Sequence, residues 1–354
     1  MRVAVVGASG NLGTALLRHL HATVPDWTVV GICRRPPTGG EPAYERVTWV
    51  RADISRPDSA DVLVEAFTGV DAVVHLAWAI QPNHDERVLA ATNVDGSGRV
   101  FAAARTAGVG HLVHGSSVGA YSPGPKDRRV DESWPTDGIP TSHYARYKAA
   151  VEHDLDELAG SRGAPLVARV RPGLIFHHDA GSQVARYFLG PLVPTTLLGM
   201  RRSPVLPLPD EFVFQAVHGE DVADAYLRVL QRRATGAFNV AAEPVLNRDR
   251  LAEVFHARPV RVPVSAVRGV ADVTWRLRLQ PSDPGWVDMG AAAPVMSVER
   301  AQGELGWTPR YDSRAAVADL LAGMRHGAGT EAPVMSPRRG WPWRTRRRGG
   351  PTRA

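Results

Sequence analysis

The sequence is poor in cysteine, lysine and long apolar runs. Its single cysteine, Cys33, can form no internal disulfide, which is typical of proteins in a reducing compartment. The N-terminal residues "MRVAVVGASG" pass directly into a strand pattern, without the charged and then apolar segment of a secretion signal. No run approaches the roughly 18 apolar residues that span a bilayer. We therefore expect a cytoplasmic location and no membrane span.

Acidic residues are absent from the C-terminal end. From Pro337 onward, "PRRGWPWRTRRRGGPTRA" carries seven arginines and no acid, so the rest of the chain is nearly neutral although the formal net charge is +6. Because the basicity is local, a nucleic-acid partner is not favoured. The composition predicts a disordered basic tail over residues 327–354. A solvated tail is favoured; contact with a membrane, nucleic acid or acidic partner is the alternative.

Apolar strand patterns alternate with amphipathic helical patterns through the first half of the chain. Such alternation implies crossover helices on both faces of a parallel sheet. The predicted fold class is therefore α/β, a Rossmann-type doubly wound parallel sheet with a smaller C-terminal substrate-binding lobe. The predicted strands are 2–7, 27–33, 46–50, 71–77, 111–117 and 165–172, and the predicted helices are 11–23, 58–67, 85–107 and 142–160.

After Pro172 the pattern becomes irregular and rich in proline and glycine, and regular patterns return at 214–230 and 236–243. This change predicts the domain organisation. The sheet domain is expected to comprise residues 1–176, with residues 213–243 returning to it. The smaller lobe is expected to comprise residues 177–212 and 244–326.

Three glycines lie between the first strand and the first helix, in "VAVVGASGNLGTALL". Glycine permits a tight turn, close approach of the backbone to a pyrophosphate, and close packing of helix on strand. The amide groups at the helix start favour a phosphate anion. We therefore predict a dinucleotide site here; a tight turn without a ligand is the alternative. Its loop residues are Gly7, Ser9, Gly10, Asn11, Leu12 and Gly13.

The residues at the end of the second strand indicate whether NAD or NADP is the cofactor. An acidic residue there would bind the ribose hydroxyls of NAD, whereas this chain has Arg34 and Arg35, which can bind a 2′-phosphate. NADP is therefore the predicted cofactor and NAD the alternative, since the two arginines could also reflect an arginine-rich composition. Asp53, after the third strand, could meet the adenine amino group or could be an ordinary loop residue.

Only two of the 42 basic residues are lysines, and one of them, Lys148, lies four residues after Tyr144. Residues four apart share a helix face. In a chain that otherwise uses arginine, a retained lysine indicates that a compact ammonium is needed. A surface helix pair is the alternative interpretation of this spacing.

Nine segments in order make the sequence resemble the extended short-chain dehydrogenase/reductases, the NAD-dependent epimerase/dehydratase family. The resemblance covers residues 1 to about 326. Its segments are the glycine loop, Asp53–Ile54, "VVHLA" (73–77), "TNVDGS" (92–97), "SSVGAY" (116–121), "YARYK" (144–148), "RPG" (171–173), "VHGEDVADAY" (217–226) and "LGWTPRY" (305–311).

The resemblance implies a catalytic triad of Ser117, Tyr144 and Lys148. Tyrosine would donate a proton to a carbonyl oxygen as hydride reaches the carbon, and the lysine ammonium would lower the phenol pKa from its usual value near 10. Ser117 would hold the substrate oxygen, and Lys148 would also bind the nicotinamide ribose. Asn93 matches an asparagine that supports the active-site helix, although a structural role is nearly as well supported. Ile54, Leu76, Ala77, Tyr144, Lys148 and Gly173 are expected to line the cofactor.

Two departures from the family pattern narrow the reaction. Dehydratases of this family carry an Asp–Glu pair where this chain has Val118 and Gly119, which disfavours dehydration. Sugar-nucleotide enzymes often carry an Arg–Asp pair where this chain has Phe214 and Gln215, which removes a diphosphate anchor. Arg186, Arg201 or Arg202 could substitute for it. A small or fairly apolar carbonyl or alcohol substrate is therefore expected, with "YFLGPLVPTTLLGM" (187–200) as an apolar wall or as lobe core.

Two other functions stay open. An epimerase would use the same triad with tightly held NAD, and a regulatory protein would bind the cofactor without turnover. The resemblance also suggests a homodimer. The run "HHD" (177–179) is not expected to bind a metal, because adjacent residues rarely converge on one ion and no second cluster completes a ligand set.

Overall fold

The computed structural model describes residues 1–38, 41–81, 84–189 and 205–337. Its strands, in chain order, are β1 (Arg2–Val6), β2 (Thr28–Cys33), β3 (Val47–Arg51), β4 (Ala72–His75), β5 (His111–Gly115), β6 (Arg129–Val130), β7 (Leu166–Pro172), β8 (Leu174–Phe176), β9 (Val205–Leu208), β10 (Ala216–His218), β11 (Gly236–Val240), β12 (Arg258–Arg261) and β13 (Val295–Met296).

The helices, in chain order, are α1 (Asn11–Thr23), α2 (Pro42–Glu45), α3 (Ser59–Phe67), α4 (Glu86–Asn93), α5 (Asp95–Thr106), α6 (His143–Gly160), α7 (Gly181–Val184), α8 (Gly219–Arg232), α9 (Arg248–Phe255), α10 (Val264–Arg276), α11 (Pro284–Ala292), α12 (Glu299–Leu305) and α13 (Ser313–His326). A π-helical turn (Ala185–Leu189) follows α7.

A seven-stranded sheet lies at the centre, in the order β11-β7-β5-β4-β1-β2-β3. Every neighbouring pair in it is parallel. Successive side chains of β1 belong to different cores: Val3 and Val5 pack with α1 and α8, whereas Ala4 and Val6 pack with α3 and α5. Burial on both faces explains the uninterrupted apolar strand, and the α/β Rossmann-type prediction is confirmed.

Two-stranded parallel ladders lie outside the central sheet, β8 with β10, β9 with β12 and β6 with β13. All of their strands except β6 follow Pro172. A separate apolar cluster joins α7, α9 and α13 to this region, with Leu246, Leu251 and Leu320 among its members. β11, within the segment expected to return, pairs with β7 at the edge of the central sheet. The exact division into a sheet domain and a lobe stays a prediction.

The structure differs from the sequence predictions at two places. The helix expected over 85–107 is two helices, because the chain turns at Val94 between α4 and α5. Residues 327–337 belong to the segment expected to be a disordered tail, and the structure places Ala332 and Met335 of this segment fully buried in the main core. Two apolar side chains without helical or strand spacing gave no periodic signal. Residues 338–354 of the expected tail lie outside the described residues.

No helix within the described ranges has the length and hydrophobicity needed to cross a bilayer.

Candidate active site

A groove of about 290 Å³ runs along the carboxyl ends of the central strands. Ligands of open α/β sheets bind at this edge. Most residues predicted to bind the cofactor line it, whereas Gly173 does not. Of the residues predicted to be catalytic, Ser117 and Asn93 are also outside the lining. The predicted residues in the lining are Gly7, Ser9, Gly10, Asn11, Leu12, Gly13, Arg34, Arg35, Asp53, Ile54, Leu76, Ala77, Tyr144 and Lys148.

The glycine loop has the conformation that a dinucleotide site requires. Gly7 has φ +88°, and a Cβ on it would lie 2.6 Å from the Ala77 nitrogen. A Cβ on Gly13 would lie 2.3 Å from the Gly7 carbonyl oxygen. Gly10 precedes α1 and offers no side-chain cap, so the first amides of the helix remain available for a phosphate. These residues fit a bound dinucleotide.

Arg34 and Arg35 follow β2 and are exposed at the groove. Within the described residues, neither guanidinium has a hydrogen-bond partner among protein groups, so both can bind an anion. Asp53 also lines the groove, but one of its oxygens accepts from the amide and hydroxyl of Ser55 at 3.1 and 2.7 Å. That turn fixes the carboxylate and leaves its second oxygen for a ligand.

Tyr144 lies in the first turn of α6, which Ser142 caps by accepting from the amide of Ala145. Burial raises the pKa of Tyr144, and a hydrogen bond with Ser117 lowers it. Ser117 follows β5 and accepts from the amide of Gly119 at 3.0 Å, so its hydroxyl proton is free to donate. Gly119 leaves room for the tyrosine ring, since a Cβ there would lie 2.9 Å from Tyr144 Cε1.

Lys148 lies one turn further along α6 and is 3% exposed. Its Nζ donates to the carbonyl oxygen of Gly115, at the end of β5, at 2.7 Å. The ammonium also lies over the indole ring of Trp78, 3.4 Å from the ring centroid. Burial lowers the pKa of Lys148 to about 7, and the charge of Glu152 opposes that shift.

A buried ionic network fixes the helix that carries Tyr144 and Lys148. Glu152, one turn beyond Lys148, accepts from both Arg171 Nε and Arg171 Nη2 at 2.9 Å. The Ser116 hydroxyl donates to the same carboxylate at 2.5 Å. Burial raises the pKa of Glu152, but Arg171, the Ser116 hydroxyl and the charge of Arg169 together hold that pKa below its usual value. The network therefore ties α6 to the ends of β5 and β7.

Asn93 and Gly173 do not line the groove, and each of them contacts backbone atoms of a neighbouring segment. Asn93 Oδ1 accepts from the Ala79 amide at 2.7 Å, and its Nδ2 donates to the Ala79 carbonyl at 2.8 Å. It thereby fixes the loop after β4, which carries Trp78, rather than the active-site helix. Gly173 permits close packing, since a Cβ there would lie 2.4 Å from the Gln215 carbonyl oxygen.

Aromatic side chains that sequence reasoning missed surround Tyr144. Trp286, from α11, lies 4.9 Å from it between ring centroids, and Trp78 lies 5.9 Å away, edge to face. Phe188 packs on Trp286 at 4.9 Å. Both indole Nε1–H groups are buried without a partner in the described structure. No periodicity connects residues so far apart, although the flanking "HLAWA" and "PSDPGW" could have been noted.

The departures from the family pattern have structural explanations. Gln215 bonds both backbone groups of Met296, its Oε1 at 2.8 Å and its Nε2 at 3.1 Å. Arg186 donates to the carbonyls of Val334 and Ser336 at 3.0 and 2.7 Å. Arg201, Arg202 and most of the expected apolar wall, residues 190–200, lie outside the described residues.

Among the residues that the structure describes, no group of three or more His, Cys, Asp or Glu side chains is placed so that it could hold a metal ion. Of the run 177–179, His177 contacts Asn11 Oδ1 of the glycine loop, and Asp179 pairs with Arg18 at 2.6 Å.

Comparison with known proteins identifies the family. The model of the NAD dependent epimerase/dehydratase family matches residues 3–241, and the chain belongs to that family. A UDP-glucose 4-epimerase from Streptomyces lividans is 27% identical over 332 residues, 89% of this chain and 93% of that protein. A ketoreductase of a farnesylated dihydroquinoline oxide from Stigmatella aurantiaca is 30% identical over 181 residues, about half of each chain (51% and 52%).

Other matches extend over almost the whole chain. An uncharacterised protein of Mycobacterium tuberculosis is 26% identical over 346 residues, which is 97% of this chain but 32% of that protein. The chain therefore spans about a third of the first curated relatives it matches. The UDP-glucose 4-epimerase of Thermus thermophilus, solved with NAD, superposes with a TM-score of 0.67 at 23% identity, covering 92% of this chain and 99% of that one. This likeness shows the shared fold.

Proposed function

We propose that the protein is an NADP-dependent oxidoreductase that transfers hydride between the cofactor and an apolar carbonyl or secondary alcohol. The observation that carries the proposal is the arrangement around Tyr144, which lines the groove together with Lys148 and is hydrogen-bonded to Ser117 behind it. The Lys148 Nζ lies 5.9 Å from the centroid of the Tyr144 ring. A cofactor-binding regulatory protein would have no need for this arrangement, and its retention favours an enzyme.

The three side chains divide the proton chemistry among them. A bound nicotinamide dinucleotide supplies or accepts the hydride. Tyr144 Oη would hold the proton that passes to the substrate oxygen, and the Ser117 hydroxyl would donate to that oxygen and orient it. The Lys148 ammonium would stabilise the phenolate left on Tyr144, which its position one helical turn away permits. Glu152 and Arg171 hold the helix in register.

The surroundings of Tyr144 favour an apolar substrate. Trp78, Trp286 and Phe188 form an aromatic cluster beside Tyr144, and such rings would give a bound substrate an apolar environment. Among the described residues that line the groove, Asp53 is the one carboxylate. A dehydratase needs a further acid and base beside the triad, so elimination of water is not favoured.

The choice of NADP rests on Arg34 and Arg35, which are exposed at the groove where the adenosine ribose is expected. Two guanidinium groups can bind a 2′-phosphate through several charge-assisted hydrogen bonds. NAD is the alternative, and the family name supports it.

A UDP-sugar epimerase is the second candidate, because the Streptomyces relative of that activity aligns over most of both chains. Phe214 and Gln215 argue against an epimerase, because they occupy the positions where sugar-nucleotide enzymes often carry the Arg–Asp pair that binds the diphosphate. Gln215 is engaged with Met296, and Arg186 donates to two backbone carbonyls.

Dinucleotide binding is the experiment that separates these functions. NADPH and NADH would be titrated against wild-type protein and the double variant Arg34→Ala, Arg35→Ala, with Arg51→Ala as a control at the end of β3 outside the groove lining. We expect the double variant to lose at least tenfold in NADPH affinity while NADH affinity changes little. NADPH-dependent reduction would then be followed over a panel of apolar ketones, with Tyr144→Phe as the inactive control.

Each other result has a defined meaning. Equal or tighter NADH binding, or protein purified with NAD bound, would overturn the NADP assignment and favour the epimerase, to be assayed with UDP-glucose. Tight NADPH binding without turnover of any carbonyl would favour the regulatory alternative. Binding of neither dinucleotide would contradict all three.

A further inference from the structure

Residues 327–337, called the strap below, follow the last helix and turn back toward the glycine loop. The strap is closed on itself by hydrogen bonds between Thr330 N and Met335 O and between Met335 N and Ala332 O, both 2.9 Å. Gly329 permits the turn, since a Cβ there would lie 2.1 Å from the Met335 carbonyl oxygen. Ala332 and Met335 anchor it in the core.

A directed chain of hydroxyl groups links the strap to the glycine loop. Thr14 Oγ1 donates to the Gly10 carbonyl at 2.8 Å, so it accepts from Tyr44 Oη at 2.9 Å. Tyr44 Oη in turn accepts from Thr330 Oγ1 at 3.0 Å. All three hydroxyls are removed from water, and burial raises the pKa of Tyr44. The position of the strap is therefore coupled to the turn that would hold the pyrophosphate.

Two strap residues, Pro333 and Val334, line the dinucleotide groove together with the glycine loop. The Val334 carbonyl accepts from Arg186 Nη2 at 3.0 Å and from Gln183 Nε2 at 3.5 Å. These bonds attach the strap to α7 and to the π-helical turn after it. Gln183 of α7 and Tyr187 of that turn also line the groove. The groove thus has a wall contributed by the C-terminal end of the described chain, beyond the family match at residues 3–241.

We propose that the strap is part of the dinucleotide site, with Val334 as an apolar wall residue beside the bound cofactor. This inference rests on the proposed use of the groove for a dinucleotide. An apolar wall excludes water from the charged cofactor and leaves its phosphates to the glycine-loop amides. A negative charge at Val334 would face the same groove as those phosphates and repel them.

Point substitutions test the proposal, because deleting the strap would also remove two core residues. The variants are Val334→Asp, its neutral isostere Val334→Asn, and Ser336→Asp, which places the same charge two residues away on an exposed residue outside the groove lining. The dissociation constants of NADPH and NADH would be measured at low and high salt. Thermal unfolding without cofactor would verify that each variant is folded.

We expect Val334→Asp to raise the dissociation constant at least tenfold at low salt and less at high salt. Val334→Asn and Ser336→Asp should each change it less than threefold. Equal binding by folded Val334→Asp and Ser336→Asp would overturn the role of the strap alone. Failure of the wild-type protein to bind either dinucleotide would overturn the site and the strap together. Binding without carbonyl turnover would overturn only the reductase.

Discussion

Lys126 and Lys148, the two lysines of the chain, occupy similar environments, although only Lys148 has a proposed role in catalysis. Lys126 Nζ donates to the carbonyls of Val213 and Gly290 at 2.8 and 3.0 Å, and burial lowers its pKa to about 8. Lys148 also donates to a carbonyl and has its pKa lowered by burial, to about 7. Only Lys148 lines the dinucleotide groove and has Tyr144 one turn away on its helix.

The contrast refines the argument from composition. Retention of lysine in an arginine-rich chain does indicate a need for a compact ammonium, because both positions hold one against backbone carbonyls. Retention of a lysine does not by itself indicate catalysis, since Lys126 joins segments that lie far apart in sequence and lies outside the groove. The two lysines differ in the residues that surround them. The following variants test whether this difference determines which lysine is needed for catalysis.

The largest expected effect is on catalysis at Lys148. Lys148→Met should lower kcat for carbonyl reduction by about 10²–10⁴-fold, because no charge remains to stabilise the Tyr144 phenolate. Lys148→Arg should be nearly as impaired, since a planar guanidinium cannot replace a compact ammonium between the Gly115 carbonyl and the Trp78 ring. Steady-state kinetics would measure both.

Lys126→Met is the matched control for that series. Its kcat per folded molecule should stay within about threefold of wild type, because Lys126 lies outside the groove. A Lys148→Arg variant with a third or more of wild-type activity would contradict the comparison, since either cation would then suffice.

The next effect is a dependence of stability on pH. Burial lowers the pKa of Lys148 from 10.5 to about 7, so between these values the unfolded chain holds a proton that the folded chain has lost. Wild-type stability relative to Lys148→Met should therefore rise as the pH is raised from 7 to 10.5, by at most about 1.4 kcal/mol per pH unit. Urea unfolding of both proteins across this range would measure it. A constant difference would mean that the buried lysine keeps its ordinary pKa.

Some parts of the candidate site can be predicted from the sequence, whereas others depend on how distant segments pack together. Local signals predict the strands, the glycine loop, Arg34 and the Tyr144–Lys148 pair, because each of these depends on spacing within one strand–helix unit. Ser117 came from family resemblance. Trp286 lies 142 positions from Tyr144 in the sequence, and only the packing of α11 brings the two rings together. The sequence of the strap predicts a tail, because Ala332 and Met335 are isolated apolar residues without helical or strand spacing.

A smaller effect is expected on stability at Lys126. Lys126→Met removes the donor shared by the carbonyls of Val213 and Gly290, and leaving such acceptors unpaired costs about 1–3 kcal/mol of unfolding free energy. The loss should grow above pH 8, where the folded wild-type protein no longer keeps a buried charge. Thermal unfolding of the apo protein would measure it, with Lys148→Met for comparison. Unchanged stability at both pH 7 and pH 10 would show that the two hydrogen bonds contribute nothing.

The smallest effect concerns the ring that distinguishes the surroundings of Lys148. Trp78→Leu removes the indole face 3.4 Å from the ammonium. A partly desolvated cation–π contact is worth about 0.5–2 kcal/mol, so the pKa of Lys148 should fall further and kcat should drop between about twofold and thirtyfold. Trp78→Phe keeps an aromatic face and should recover most of that loss. Trp134→Phe, beneath Arg128 at 5.7 Å and outside the groove, is the control. If the Trp78→Leu and Trp78→Phe variants had the same dependence of kcat on pH, Trp78 would act by packing alone. The difference in pKa between Lys148 and Lys126 would then depend on burial and on the charge of Glu152.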